Sequence, residues 1–272
     1  MRFIGNKTNL LENIKEVVQE NCGGDNAIFC DIFSGTGSVS RYFKNDYQII
    51  SNDLLYCAYI LSAATVDINI IPRFEQLKTV GIDDPLTYLE TTEISAQDIP
   101  VAYCTNNYSP FGKAGRMYFI EENARRIDFI RGTIERWKNG GLLSDNEYKY
   151  LLACLIESIP FVSNITGTYG AYLKTWDKRA FKRFELVRLG VVDNGKENRT
   201  YNEDSNTLIR KIEGDILYID PPYNDRQYLP NYHVLETIAR NDNPVVKGVT
   251  GVRGYINEKS DYCIRSKVKS AF

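Results

Sequence analysis

The run Asp215-Ile216-Leu217-Tyr218-Ile219 passes directly into Asp220-Pro221-Pro222-Tyr223, and this junction restricts the possible folds more than any other segment. The apolar run predicts a buried strand. Two prolines straight after it cannot continue a hydrogen-bonded ladder, so they fix a rigid, extended exit from a sheet. A second apolar run, Ala27-Ile28-Phe29-Cys30-Asp31-Ile32-Phe33, predicts a buried parallel strand that empties into the turn Ser34-Gly35-Thr36-Gly37-Ser38. Leu10, Leu11, Ile14, Val17 and Val18 recur at helical spacing, which predicts a helix over about 7–21. Ser38 to Lys44 reads as a helix, Tyr47 to Ser51 as a second strand and Leu54 to Val66 as a further helix. Strand and helix alternating at this length predict an α/β fold with a right-handed parallel sheet.

From about residue 70 to 183 the alternation gives way to helical patterns, chiefly Met117 to Trp137 and Asp145 to Ile159, with polar and aromatic loops between them. Strand character returns over Glu185 to Val192, followed by a helix at about 205–212. The expected organisation is a sheet-bearing domain of residues 1–69 and 184–272, interrupted by a mostly helical insertion of residues 70–183.

Three places carry chemistry. Gly35 and Gly37 let the backbone approach a ligand where a Cβ would collide, and ligands of open α/β sheets bind at the carboxyl ends of the strands. Ser40 stands where a dinucleotide fingerprint would have a third Gly or Ala, so pyrophosphate binding is weakly supported. Asp53 ends the second strand, where a carboxylate can accept both hydroxyls of a ribose or cap the helix that begins at Leu54. Asp220 and the Pro221 carbonyl can both accept hydrogen bonds from an exocyclic amino group. The Tyr223 ring can stack on a base that has left its helix.

The formal net charge of -2 gives no overall basic footprint for a polyanion. The segment 174–188 is locally basic, however, with Lys174, Lys178, Arg179, Lys182, Arg183 and Arg188 against Asp177 and Glu185. Arg265, Lys267 and Lys269 form a second such run. The six cysteines form no CxxC pair, and with the single histidine, His233, they make no zinc pattern, so no metal is expected. Scattered thiols, the lack of an apolar run of about 20 residues, and a start without a cleavable apolar core point to the cytoplasm rather than a membrane or secretion.

Taken in order, these motifs resemble the alpha-group, Dam-like family of DNA adenine-N6 methyltransferases, and within it the FokI-type modification enzymes of restriction systems. The resemblance covers the whole chain. Arg2-Phe3-Ile4-Gly5-Asn6-Lys7 is similar to the family's N-terminal segment, which implies that Phe3 and Lys7 contact the cofactor. Asp31-Ile32-Phe33-Ser34-Gly35-Thr36-Gly37 resembles its methionine-binding loop, Asn52-Asp53 its ribose site, and Asp204 its contact to the cofactor's adenine. Asp220-Pro221-Pro222-Tyr223 resembles the catalytic motif, with Asp220 also touching the cofactor.

The resemblance implies a Rossmann-like sheet, S-adenosyl-L-methionine as cofactor, a flipped adenine in double-stranded DNA as substrate, and a helical target-recognition insert. For that insert the sequence suggests phosphate contacts from Lys174, Lys178, Arg179, Lys182 and Arg183, and base contacts from Arg116 or residues around Asn106 to Ser109. Partners implied are DNA and a cognate restriction endonuclease or second methyltransferase half. One departure stands out: family members continue past the catalytic motif with further strands, whereas this chain stops at Ser270-Ala271-Phe272. The C-terminal strands of the usual sheet are therefore expected to be missing, with an exposed sheet edge. The alternative function is a truncated or split subunit that binds DNA and cofactor but needs a partner chain.

Other classes fit less well. A nicotinamide oxidoreductase would leave Asp220-Pro221-Pro222-Tyr223 unexplained, and cytosine-C5 methylation needs a Cys after Pro, which this chain lacks. RNA or protein methylation more often goes with an Asn-Pro-Pro-Tyr motif.

Overall fold

A computed structural model describes residues 5, 7–22, 27–222, 227–254 and 259–271. Phe3 and Tyr223 lie outside the described residues. The chain divides into two compact units, one of residues 2–71, 190–228 and 256–272, the other of 72–189 and 229–255.

The first unit is built on four strands, β1 (Ile28–Asp31), β2 (Gln48–Asn52), β3 (Arg199–Tyr201) and β4 (Ile216–Tyr218), all parallel and ordered β3-β2-β1-β4. β1 pairs Cys30 with Ile50 on one side and with Leu217 on the other. The chain steps outward from β1 to β2 and β3, then returns to the opposite side of β1 as β4. Strand order therefore reverses between β1 and β4, the position where open α/β sheets place their ligands. The loop after Asp31 and the segment after Tyr218 both leave the carboxyl end of that adjacent pair.

Helices α1 (Leu11–Asn21), α2 (Ser38–Phe43) and α3 (Tyr56–Ser62) accompany the strands. α3 runs on into a π-helical turn over Ala63–Asp67. Phe29, Val39, Phe43, Ile49, Val66 and Ile216 form the core, with the Phe29 and Phe43 rings stacked 4.3 Å apart. Each such ring removes a large apolar area from water, at about 25 cal/mol per Å².

Lys44, the residue after α2, is fully buried. Its Nζ donates to the carbonyls of Thr65 and Ile68 at 3.2 and 2.7 Å, satisfying the end of the π turn. Burial pushes its pKa down to about 8. β4 is the edge of the described sheet, and Leu217 and Ile219 are 45% and 48% exposed there.

The second unit is helical: α4 (Glu75–Thr79), α5 (Pro85–Thr91), α6 (Tyr103–Tyr108), α7 (Glu121–Asn139) and α8 (Asp145–Ser158), with a later helix at Leu229–Arg240. Asp84 and Pro85 start α5, the Asp side chain accepting from Leu86 N and Thr87 N. Ser144 and Glu147 form a capping box at the start of α8. α7 and α8 pack together, and Ile127, Ile130 and Ile134 of the one and Leu151, Leu152 and Leu155 of the other are all buried.

Two expectations about layout are corrected. Glu185 to Val192 forms no strand. Its backbone is pinned by side chains instead, Leu186 N donating to Glu90 Oε1 and Val187 N to Ser158 Oγ. The strand in this part of the chain is Arg199–Tyr201. The expected boundaries also shift, because 229–255 joins the helical unit rather than the sheet. The helix Leu229–Arg240 is buried over most of its surface, and Arg131 of α7 donates to the carbonyls of Ile238 and Ala239 at its end.

The single histidine, His233, lies in this helix, fully buried, with Nε2 2.9 Å from the Tyr169 carbonyl oxygen. Burial, followed by the charges of Arg116 and Arg253, holds its pKa down at about 4. A base depressed in the folded state binds fewer protons than in the unfolded chain between about pH 4 and 6.5. Its contribution is therefore intact above pH 6.5 and lost on acidification, by about 2 kcal/mol between pH 7 and pH 5. Urea unfolding of wild type and His233→Gln at both pH values reads this contribution as the difference between the two slopes. Equal slopes would refute it.

Candidate active site

The residues at the carboxyl end of β1 and β4 form a carboxylate-rich site within the sheet unit. Asp31, the last residue of β1, is 1% exposed. Its Oδ2 accepts the Ser40 hydroxyl at 2.7 Å, and its Oδ1 is buried with no hydrogen-bond partner among the described residues. Burial raises its pKa to about 7, against hydrogen bonds from Ser40 and the Phe33 N–H, and the charges of Asp53 and Asp220 push it further up. The charges of Asp53, after β2, and Asp220, after β4, thus both bear on Asp31 at the end of the strand between them.

The glycine turn follows. Gly35 and Gly37 have φ of 53° and 73°, in the left-handed region that a side chain disfavours. A Cβ on Gly37 would stand 2.8 Å from Ser62 Oγ, so this glycine is required by space as well as by dihedral angle. Gly37→Ala is expected to cost about 2 kcal/mol and lower Tm by about 4–8 °C. An unchanged melting curve would refute the crowding.

Asp53, which the sequence left between ribose ligand and helix cap, bridges the two loops. Its Oδ2 accepts from Gly35 N and its Oδ1 from Leu55 N, each at 2.8 Å. The helix itself starts at Tyr56, with Leu55 as cap and no side-chain capping bond. The carboxylate therefore ties the glycine turn to the end of β2.

Asn52 fastens the same end: its Nδ2 donates to the carbonyls of Ile32 and Glu203, and its Oδ1 accepts from Glu203 N. Asp204 is exposed and caps the one-turn helix Ser205–Leu208 through Thr207 N. Phe33 is held edge-on by Tyr262, ring centroids 5.1 Å apart, and the Tyr262 hydroxyl donates to Asn206 Oδ1 at 2.8 Å.

Asp220 follows β4 in the extended segment with Pro221 and Pro222, all three half-buried. Its Oδ2 lies 2.7 Å from Lys7 Nζ. The structure thus brings Lys7, Asp31, Phe33, Gly35, Gly37, Asp53 and Asp220 to one end of one sheet.

Ser40 and Ser62 are the site residues that sequence reasoning missed. Ser40 does carry a signal: it is the departure from a third glycine, and its hydroxyl occupies that position to bond Asp31. Ser62 carries none, because its role depends on where α3 passes Gly37.

The arrangement fits a ligand with cationic character. The charges of Asp53 and Asp220 bearing on Asp31, one oxygen of which has no hydrogen-bond partner among the described residues, favour positive charge. The glycine turn admits close backbone approach. Among the described residues, no group of three or more His, Cys, Asp or Glu is placed to hold a metal ion, and no helix is long and apolar enough to cross a membrane.

The basic residues proposed for nucleic acid lie in the helical unit. Lys174, Lys178, Lys182 and Arg183 are exposed. Arg179 is turned inward, its guanidinium donating to the Ile165 carbonyl and facing Asp177. Arg116 is a correction. It is buried, and its Nε, Nη1 and Nη2 donate to the carbonyls of Val249, Asn107 and Gly248. It clamps the hairpin around Lys247 and Val252 and offers no fork to a base edge. Tyr108 and Ser109 are likewise buried, whereas Asn106 is exposed.

Residues 3–272 match the model of a family described as D12 class N6 adenine-specific DNA methyltransferase. The chain is 56% identical over its full length to the type II methyltransferase M.FokI of Planomicrobium okeanokoites, of which it covers 42%. It is 47% identical over 98% of its length to the modification methylase StsI of Streptococcus sanguinis, covering 40% of that protein. It is 38% identical over its full length to the type II methyltransferase M.NlaIII of Neisseria lactamica, covering 78% of it. The chain thus spans about two fifths of the length of the first two relatives. No solved structure matches it.

Proposed function

We infer, for a chain that belongs to the D12 class N6 adenine-specific DNA methyltransferase family, that the carboxyl end of its sheet moves a methyl group from S-adenosyl-L-methionine to N6 of a flipped adenine in duplex DNA. One observation carries this reading: the glycine turn after β1 and Asp220 after β4 leave adjacent parallel strands at the same end, with the charges of Asp53 and Asp220 both felt at Asp31.

Within that site the glycine turn and Asp31 hold the methionine part of the cofactor, Asp53 the ribose, and Asp204 with Phe33 the adenine side. Phe3 and Lys7 complete the cofactor contacts. When bound, the cofactor supplies an electrophilic methyl on a sulfonium. Asp220 and the Pro221 carbonyl accept the two N6 hydrogens of the target base. That geometry favours a more tetrahedral nitrogen whose lone pair is free to attack. Pro222 keeps the segment extended, Tyr223 stacks on the extruded ring, and Asp220 or water takes the proton that leaves N6. Positioning and a preorganised polar site account for most of the catalysis.

Lys174, Lys178, Lys182 and Arg183 of the helical unit hold DNA phosphates, and that unit selects the target sequence. The relatives' names as modification methylases support a place in a restriction–modification system, with a cognate endonuclease or a second methyltransferase half as partner. Equilibrium binding tests the cofactor assignment: labelled S-adenosyl-L-methionine is expected to saturate the chain and to resist displacement by NAD. Tight NAD binding would overturn it.

A further inference from the structure

A second charged site lies in the helical unit. A cavity of about 200 Å³ opens beside the first turns of α7, lined by Glu122, Asn123, Arg125, Arg126, Arg183 and Phe184. Several waters or one tetrahedral anion fit in that volume, since a water takes about 30 Å³ of the liquid. Asn123 builds its wall: its Nδ2 donates to the carbonyls of Ala180 and Lys182, fastening the basic segment against α7.

The charges in this cavity do not balance. Three guanidinium groups face one carboxylate, Glu122. Arg126 spends Nη1 on the carbonyls of Leu89 and Thr92. Arg183 makes one long bond, to the Glu90 carbonyl at 3.4 Å, and Arg125 stands 3.9 Å from Glu121. Among the described residues, most of the donors of Arg125 and Arg183 thus have no partner within hydrogen-bond distance. The Arg126 pKa is lowered, first by burial and then by the charge of Arg183, so these cations repel one another.

We propose that this cavity is a phosphate site, in which Arg125, Arg126 and Arg183 grip one backbone phosphate of the DNA duplex. Planar guanidinium forks suit phosphate oxygens, and an anion would relieve the mutual repulsion. DNA is favoured over a free phosphate because the cavity is continuous with the exposed Lys182 and Arg183 of the basic segment. The site rests on the DNA-methylation reading and adds an anchor outside the reacting centre. Sequence reading placed Arg183 in a basic run but gave no role to Arg125 or Arg126, which sit 57 or more residues away in the chain.

The test is duplex binding by the full chain at several KCl concentrations, for wild type, Arg125→Gln, Arg183→Gln and Arg183→Lys. Each glutamine variant is expected to bind about tenfold more weakly at moderate salt. Each should also flatten the slope of log affinity against log salt by about one. Arg183→Lys should keep the slope, because the charge remains. The preferred DNA sequence should not change, since a phosphate contact carries no sequence information.

Wild-type slopes in both glutamine variants overturn the proposal. So does protection of the wild-type melting transition by inorganic phosphate, lost in Arg183→Gln, with DNA binding unaltered, since the site would then serve a free anion. Failure of the wild-type chain to methylate DNA while these variants still flatten the slope would instead count against the functional reading alone.

Discussion

Alanine at position 220 is expected to lower the rate of methyl transfer by at least about 10²–10³-fold, the usual loss for one preorganised hydrogen-bonding group. The carboxylate leaves β4 through a proline-stiffened segment, with Oδ2 2.7 Å from Lys7 Nζ and its charge felt at Asp31. Its proposed partner is the N6 amino group in the transition state. The loss should therefore fall on kcat, with the DNA KM little changed. Lys7→Met separates two roles for the ion pair. It removes the cation and leaves the acceptor, so a smaller loss than in Asp220→Ala is expected. Normal turnover in Asp220→Ala would remove Asp220 from the mechanism.

The second large effect has opposite signs for stability and binding. Asp31 has a folded pKa of about 7 against an ordinary value of 3.8, because it is buried and faces two other carboxylates. An acid raised in the folded state holds more protons there than in the unfolded chain. Native stability attributable to Asp31 therefore falls as pH rises from about 4 to 8, by roughly 4 kcal/mol. Asp31→Asn abolishes that slope and should leave the ligand-free chain more stable than wild type at pH 8.

The same substitution removes the negative charge offered to a cationic cofactor. Affinity for S-adenosyl-L-methionine should drop by about 10–100-fold, the range for a hydrogen bond to a charged group. Wild-type affinity should rise with pH through 7, since Asp31 must lose its proton to meet a cation. Thermal melts and cofactor titrations at pH 6 and 8 measure all of this. A variant that binds cofactor as tightly as wild type would contradict the role given to Asp31.

The sheet was legible where burial dominates. β1, β2 and β4 are short apolar runs, and reading them as parallel strands puts the glycine turn and Asp220 at the carboxyl edge of the sheet; that β1 and β4 are neighbours is set by the fold. β3 was not legible, because Arg199-Thr200-Tyr201 is a three-residue edge strand with no apolar run. The segment after Glu185 carries the apolar residues Leu186, Val187, Leu189, Val191 and Val192 and so imitated a strand, yet the partners of its backbone N–H groups at Leu186 and Val187 are side chains.

Charged side chains were the least legible part of the site. Arg116 resembles a DNA-reading arginine in sequence, and only folding shows three carbonyls converging on it. Lys44 looked like a helix end and proved fully buried. Asp53 ties the glycine turn to the end of β2 through Gly35 N and Leu55 N, a bridge that the sequence did not reveal. A carboxylate's role depends on which N–H groups other segments bring to it, and that is set by tertiary approach rather than by local pattern.

The most direct measurement is to incubate the purified chain with duplex DNA and methyl-labelled S-adenosyl-L-methionine, digest the DNA and identify the labelled nucleoside. Label recovered as N6-methyladenine is the predicted result. Label on cytosine, or none on DNA while the cofactor binds, would contradict a pocket in which the glycine turn and Asp220 bring a methyl donor and an adenine amino group together.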